Sequence, residues 1–138
     1  MELVQLHVGI LSVTALVIVY TDHLALRWVL GKSETLPYKK MHRLHVVVWA
    51  GLLGMIVTGA VMAWPGREYY LQHTPFIIKM CFVGVLVGNA LVIGRLSKVA
   101  SSQSFASLST KQKYTLLISG AISSVCWIGA FVVAEFFL

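Results

Sequence analysis

Sequence motifs of soluble enzymes are absent from this chain. It contains no G-x-S-x-G, no H-E-x-x-H, no phosphate-binding loop and no C-x-x-C-H haem-attachment sequence. Only two cysteines are present, Cys81 and Cys126, and they lack the C-x-x-C spacing of a metal or redox site. Both fall in apolar segments, where free cysteine behaves as a small hydrophobic side chain.

Charge is also scarce, at 12% of residues, whereas 58% of the chain is hydrophobic and the mean hydropathy is +0.83. A soluble domain is about 45–50% apolar, and a membrane span needs roughly 20 apolar residues. We therefore predict an all-α, polytopic four-helix bundle, with spans at about 3–28, 41–64, 75–96 and 114–137. These spans leave no room for a separate soluble domain, so residues 1–138 form one domain.

The cationic residues predict how this bundle is oriented. Five of the eleven lie at the facing ends of the first two spans or between them, and four lie at the facing ends of the last two or between them. Cytoplasmic loops carry the excess of Lys and Arg, so both termini are predicted to lie outside, as in a multi-pass protein of the bacterial inner membrane. The first span has no basic region before it and is not expected to be a cleaved signal peptide. The net charge of +6 follows this topology and forms no basic helix with interleaved aromatics, which argues against a nucleic-acid partner.

Small, polar and aromatic residues near the spans suggest local roles. Thr74 is a candidate N-cap with Pro75 at the first helical position. Five aromatic residues flank the spans, as in an interfacial aromatic belt: Trp28, Trp64, Tyr69, Tyr70 and Tyr114. Small residues recur at the spacing at which membrane helices pack closely, at Gly84 and Gly88, Ser119 and Ser123, Gly120 and Ser124, and Gly51, Gly54 and Gly59.

Ionisable groups inside spans are costly and are functional candidates by default. His7, Lys79 and Glu135 lie at similar distances from the outer ends of their spans, so a rise of about 1.5 Å per residue puts them at one depth. If they face inward, they form a polar site. Alternatively, Lys79 extends to the outer headgroups and His7 bonds to a backbone carbonyl.

A second group of candidates lies towards the inner side. His42 and His45 share a face of the second span, but two histidines three residues apart on one helix cannot clamp a haem from both sides. They are candidates as single ligands, or as interfacial histidines beside Arg43. His23 is sixteen residues from His7, about 160° around the helix, so it is expected to point away from the His7 face, with Asp22 closer to it.

The sequence resembles a superfamily of small four-helix bacterial membrane proteins. The resemblance is carried by Leu6-His7 in span one, Thr58-Gly59 in span two, and Tyr69-Tyr70-Leu71-Gln72-His73-Thr74-Pro75-Phe76-Ile77-Ile78-Lys79-Met80. That superfamily includes the CopD-like copper-resistance proteins, the HemJ-type protoporphyrinogen oxidases and an uncharacterised relative of about this length, to which the last stretch is most similar.

This resemblance implies a function for two residues. HemJ-type proteins bind b-type haem and depend on a histidine early in span one and a lysine early in span three, the places of His7 and Lys79. The expected function is therefore binding of haem b or a related tetrapyrrole in a redox role, with His7 as iron ligand and a membrane redox partner or a second copy of the chain as partner. The resemblance also implies a haem-dependent oxidoreductase of HemJ type, but the chain departs from HemJ because it lacks a glycine-rich span one with an Arg…Tyr-His ending. Copper handling of CopD type and a cofactor-free accessory subunit are the alternatives.

Overall fold

A computed structural model describes all residues, 1–138, and is helical with no strand. The long helices are α1 (Glu2–Val29), α2 (Tyr38–Ala63), α4 (Thr74–Ala100) and α5 (Thr110–Phe137), with the short α3 (Arg67–Gln72) between α2 and α4. Single 3₁₀ turns lie at Trp64–Gly66 and Phe105–Ser107. The predicted all-α, four-helix fold is confirmed.

The surface of the four long helices is that of a membrane protein. Each is long and apolar enough to cross a membrane, and only 14 of the 138 residues are buried. Large apolar side chains such as Leu16, Leu53, Leu91 and Phe131 are more than half exposed. Since such a surface is stable only against lipid or other apolar surface, this is a multi-pass membrane protein.

Local chemistry explains where the helices begin and end. Gly31, with a φ of +76°, follows the end of α1, in a conformation that glycine adopts without steric cost. The N-cap of α4 is His73, and Thr74 makes no capping bond, so the prediction for Thr74 is displaced by one residue. α5 begins before the predicted span because Ser109 and Gln112 form a capping box.

The helices α1 and α2 form a close antiparallel pair. The side chains of α1 contact the glycine side of α2 at three successive levels: Thr14 on Gly51, Ile10 on Gly54 and His7 on Gly59. A glycine lets two backbones approach in lipid because no side chain separates them. The predicted packing role of these three glycines is confirmed.

The helices α4 and α5 form the second pair. Asn89 Nδ2 donates to the carbonyl oxygen of Ser119 at 2.8 Å, and the Ser119 hydroxyl donates back to Asn89 Oδ1 at 2.8 Å. Both side chains are buried. The amide in the middle of the third span thus bonds a neighbouring helix, which is its usual role at such depth.

Gly84 and Gly88 do not contribute to this packing. Both are exposed, and a Cβ added at either would meet nothing within 4 Å. The prediction that they pack inside the bundle is therefore wrong. The four-residue spacing of these glycines does not determine which side of α4 faces α5. In the structure, the side of α4 that carries Asn89 faces α5.

A small apolar core closes the inner end of the bundle, where the two loops 30–37 and 101–109 meet. We call it the inner core; it consists of Trp28, Leu36, Met41, Ala100 and Leu108. Trp28 Nε1 donates to the carbonyls of Glu34 at 3.2 Å and Gln103 at 3.1 Å. The belt prediction is wrong for Trp28, which is 2% exposed, because the loops fold over its ring.

The two helix pairs touch each other mainly through α2 and α4. At this contact His45 lies against Gly94, with Nε2 3.2 Å from the position of an added Cβ. At the outer end, where both chain termini lie, His73 Nε2 is 3.5 Å from the carbonyl oxygen of Phe137. The molecule is thus two helical hairpins placed side by side.

Candidate functional site

His7 is fixed by a hydrogen bond between α1 and α2. Its Nδ1 lies 2.6 Å from Thr58 Oγ1, and the Thr58 hydroxyl lies 2.8 Å from the carbonyl oxygen of Gly54, to which it donates. Because that hydroxyl has a single proton, Nδ1 must be the donor to Thr58. The imidazole is then the Nδ1–H tautomer, and Nε2 keeps its lone pair.

This arrangement resembles the way metal-binding histidines are held. A ligating imidazole usually donates its second nitrogen to an acceptor, which fixes the ring orientation and the tautomer. The acceptor here is the hydroxyl of Thr58, which is 8% exposed. His7 is half-buried and rests on Gly59, whose added Cβ would lie 3.5 Å from Cε1. The ring can therefore turn only by breaking the Thr58 bond.

Lys79 is the second predicted member of the outer site. His7 and Lys79 share the outer half of the bundle, because each is the sixth residue of a helix that starts at that end, α1 and α4 respectively. Lys79 is half-buried, whereas Ile78 and Met80 on either side are exposed at 44% and 45%. The orientation of α4 thus turns Lys79 towards the bundle and its two neighbours outward.

The third member of the predicted outer site does not join it. Glu135 is exposed, three residues from the C-terminus. Depth along the membrane is set by residue count, but the direction in which a side chain points depends on the rotation of its helix. The structure therefore pairs His7 with Thr58, a residue that the sequence did not assign, and leaves Lys79 half-buried in the same half of the bundle.

His42 and His45 lie in the other half of the molecule. His42 is exposed and stacks on Tyr38 with ring centroids 6.0 Å apart. His45 is half-buried, and its Nε2 accepts a hydrogen bond from Trp49 Nε1 at 3.1 Å. Thirteen residues separate His45 from Thr58, about 20 Å along α2. The four predicted cofactor residues therefore form two separate groups.

His45 also borders an interior cavity of about 80 Å³, to which all four long helices contribute. Asp22 is part of the lining, but His7, Lys79 and His42 are not. His23 is exposed and is not part of the lining either. No group of three or more His, Cys, Asp or Glu side chains converges in the structure.

Thr58 carried a weak signal in the sequence. The sequence distinguishes it only as part of the Thr58-Gly59 pair. A threonine inside an apolar span commonly bonds to its own helix, as Thr14 does to Ile10 and Thr58 does to Gly54. Its role follows from the pairing of α1 with α2, which sets residue 7 opposite residue 58.

Comparison with known proteins adds no assignment to this geometry: no family model, no curated protein and no solved structure matches the chain.

Proposed function

We propose that this protein is a multi-pass protein of the bacterial inner membrane that binds a b-type haem or related tetrapyrrole at its outer end, in a redox role. His7 would be the axial ligand, and Lys79 a second ligand or the partner of a propionate. The observation that carries the proposal is the chain from His7 Nδ1 through Thr58 to the Gly54 carbonyl. It leaves Nε2 with an available lone pair at a fixed position.

The donor set fits a tetrapyrrole with acidic substituents. Neutral imidazole is a common axial ligand of haem iron, and the Lys79 ammonium would attract a carboxylate at the same depth. Bound haem would supply one-electron chemistry. The part of the protein would be to orient the ligand through Thr58 and to neutralise a propionate through Lys79. His42 and His45 do not share this site, and His45 Nε2 is already bonded to Trp49.

Absorption spectra of the detergent-purified chain test the proposal. Protein made with ample haem supply is measured air-oxidised and then reduced with dithionite. We expect a Soret band and a sharpened α-band on reduction, both lost in His7→Ala. In Thr58→Val, which keeps the side-chain shape but removes the acceptor, we expect haem retention with weaker affinity and a changed spectrum.

His42→Ala is the matched control, because it removes an exposed histidine from the other end. A featureless visible spectrum in the folded wild-type chain would refute the proposal. So would a haem spectrum that His7→Ala leaves unchanged while His42→Ala abolishes it. If the wild-type spectrum is featureless, His7 serves only as a hydrogen-bonded link between α1 and α2.

Copper handling receives less support from the geometry. Soft thioether ligands would be expected for Cu(I), but Met80, the methionine next to Lys79, is 45% exposed on the outward side of α4. Metal analysis after growth in copper separates the two readings. Copper bound at one ion per chain and lost in both His7→Ala and Met80→Leu would favour copper over haem.

The accessory-subunit alternative is favoured by one observation, the exposed face of α4 with Gly84 and Gly88. Exposed small residues four apart allow a second membrane helix to approach closely. Cys81 is exposed and lies three residues before Gly84, on the same side of the helix. Oxidative cross-linking through Cys81 in native membranes, with Cys81→Ser as control, would capture a neighbour on this face. A chain that carries no cofactor and cross-links to a stoichiometric partner would favour the accessory role.

A further inference from the structure

The interior cavity lies in the half of the bundle that the proposed haem site does not use. Its lining includes Asp22 from α1, His45 from α2, Ala90 from α4, and Ser123 and Trp127 from α5. Asp22 is fifteen residues from His7, about 22 Å along α1. Anything bound here is therefore independent of a ligand at His7.

Asp22 is the one side chain in this lining with a formal charge. His45 is neutral, since its Nε2 accepts the Trp49 N–H and the ring proton is then on Nδ1. No Lys or Arg borders the cavity. A carboxylate within a membrane span is costly unless a positive charge or a proton compensates it, and no side chain of the lining supplies that charge.

Asp22 is also where the lining reaches the surface of the bundle. It is the only exposed residue of the lining, and all the others are half-buried or buried. It lies seven residues before the end of α1, about 10 Å along the helix. A ligand that enters beside Asp22 would pass its carboxylate first and then meet the indole of Trp127 and the hydroxyl of Ser123.

We propose that this cavity binds the head of a small organic cation of the alkylguanidinium or alkylammonium class, with Asp22 as its counter-ion. The walls favour this class over a metal ion, because seven of the eleven lining residues are hydrophobic, whereas Na⁺, Ca²⁺ or Mg²⁺ need several oxygen ligands. A guanidinium ion is weakly hydrated and stacks on aromatic rings, and Trp127 supplies such a ring.

The size of the cavity limits the ligand. A single water needs about 10–15 Å³ of the same kind of space, so a cavity of about 80 Å³ accommodates a group of a few heavy atoms. A guanidinium or methylammonium head fits this limit. An alkyl tail on such a head would leave beside Asp22.

Saturation-transfer difference NMR on the full-length chain in nanodiscs tests the site, with methylguanidinium as the probe. Methylurea is the matched neutral ligand, because it has nearly the same shape and no charge. We expect saturable binding of methylguanidinium, and binding of methylurea at least tenfold weaker.

Three variants locate the binding. Asp22→Asn removes the charge without changing the shape and should weaken methylguanidinium binding at least tenfold. Ala90→Leu fills the cavity while the carboxylate remains, and it should abolish binding. Glu135→Gln removes an exposed carboxylate elsewhere and should leave binding unchanged. Thermal unfolding followed by circular dichroism confirms that each variant is folded.

The proposal is overturned if methylguanidinium shows no saturable binding, if methylurea binds equally well, or if Asp22→Asn binds as the wild type does. Equal loss in Asp22→Asn and Glu135→Gln would also overturn it, since it would show general attraction to surface charge. None of these outcomes depends on haem, because the titrations are repeated on His7→Ala with the same expectation.

Discussion

Adding one methyl group to α2 tests the packing of the first helix pair. In Gly51→Ala the new Cβ would overlap Thr14 Oγ1 and lie 2.9 Å from Thr14 Cγ2 and 3.0 Å from Thr14 Cβ. Thr14 has no room to move, because it is 2% exposed and its hydroxyl donates to the Ile10 carbonyl at 2.7 Å. The two helices must therefore separate locally.

The expected cost follows from two opposing terms. Overpacking of this kind costs about 1–3 kcal/mol, whereas replacing glycine by alanine inside a helix gains about 1 kcal/mol. Gly84→Ala is the matched control, since its Cβ would meet nothing within 4 Å and only the favourable term applies. The difference in free energy of unfolding between the two variants therefore gives the cost of the overlap alone, about 1–3 kcal/mol.

Unfolding in mixed micelles by titration with sodium dodecyl sulfate, followed by circular dichroism, measures this difference. We expect Gly84→Ala to be as stable as the wild type or more stable, and Gly51→Ala to be less stable than Gly84→Ala by that amount. Thr14→Ala in the Gly51→Ala background should restore part of the loss, because it removes Oγ1 and Cγ2. Equal stability of Gly51→Ala and Gly84→Ala would refute the close approach of α1 to α2.

Two other substitutions probe the remaining contacts. Ser119→Ala leaves Asn89 Oδ1 without its donor and should cost about 0.6 kcal/mol, the average for hydrogen bonds between membrane helices. A neutral result in the same unfolding titration would contradict this pairing of α4 with α5. Trp28→Phe keeps a ring in the inner core but removes the N–H shared by the Glu34 and Gln103 carbonyls. Limited proteolysis should then cut the loops 30–37 and 101–109 faster, while unchanged cutting would mean that this N–H does not hold them.

The sequence predicted those features that depend on composition and residue count. Four long apolar segments predict the four long helices. Gly31 and Pro37 predict the loop between α1 and α2, because these residues interrupt a helix. The common depth of His7 and Lys79 follows from the rise per residue, and each is the sixth residue of its helix in the folded chain.

Features that depend on helix rotation were not predictable in the same way. Gly51 and Gly84 have the same chemistry and similar settings, yet Gly51 lies against Thr14 and Gly84 meets nothing. Lipid and neighbouring helices are both apolar, so a membrane helix carries similar residues on all sides. The sequence therefore does little to distinguish the side that faces lipid from the side that faces protein. The hydrogen bonds between Asn89 and Ser119 show in the structure which side of α4 faces α5.

Contacts between segments that are distant in the sequence were not predicted either. Trp28 resembled an interfacial tryptophan because its span ends there, and only the folding of both loops around it shows otherwise. Its bond to Gln103 joins residues 75 positions apart in the chain, a distance at which local sequence patterns carry no information. The bond of His7 to Thr58 was missed for the same reason.

The division into two hairpins has a consequence for biogenesis. The first hairpin is held by glycine contacts and the second by the hydrogen bonds between Asn89 and Ser119, whereas the two hairpins are linked covalently only through residues 64–73. Each hairpin is thus expected to enter the bilayer as a unit, and their association would follow as a separate step in the plane of the membrane. Co-expression of residues 1–66 and 67–138 as two chains should then regenerate the complete molecule, with the backbone bond from Leu36 to Ala100 and the inner core re-forming between them.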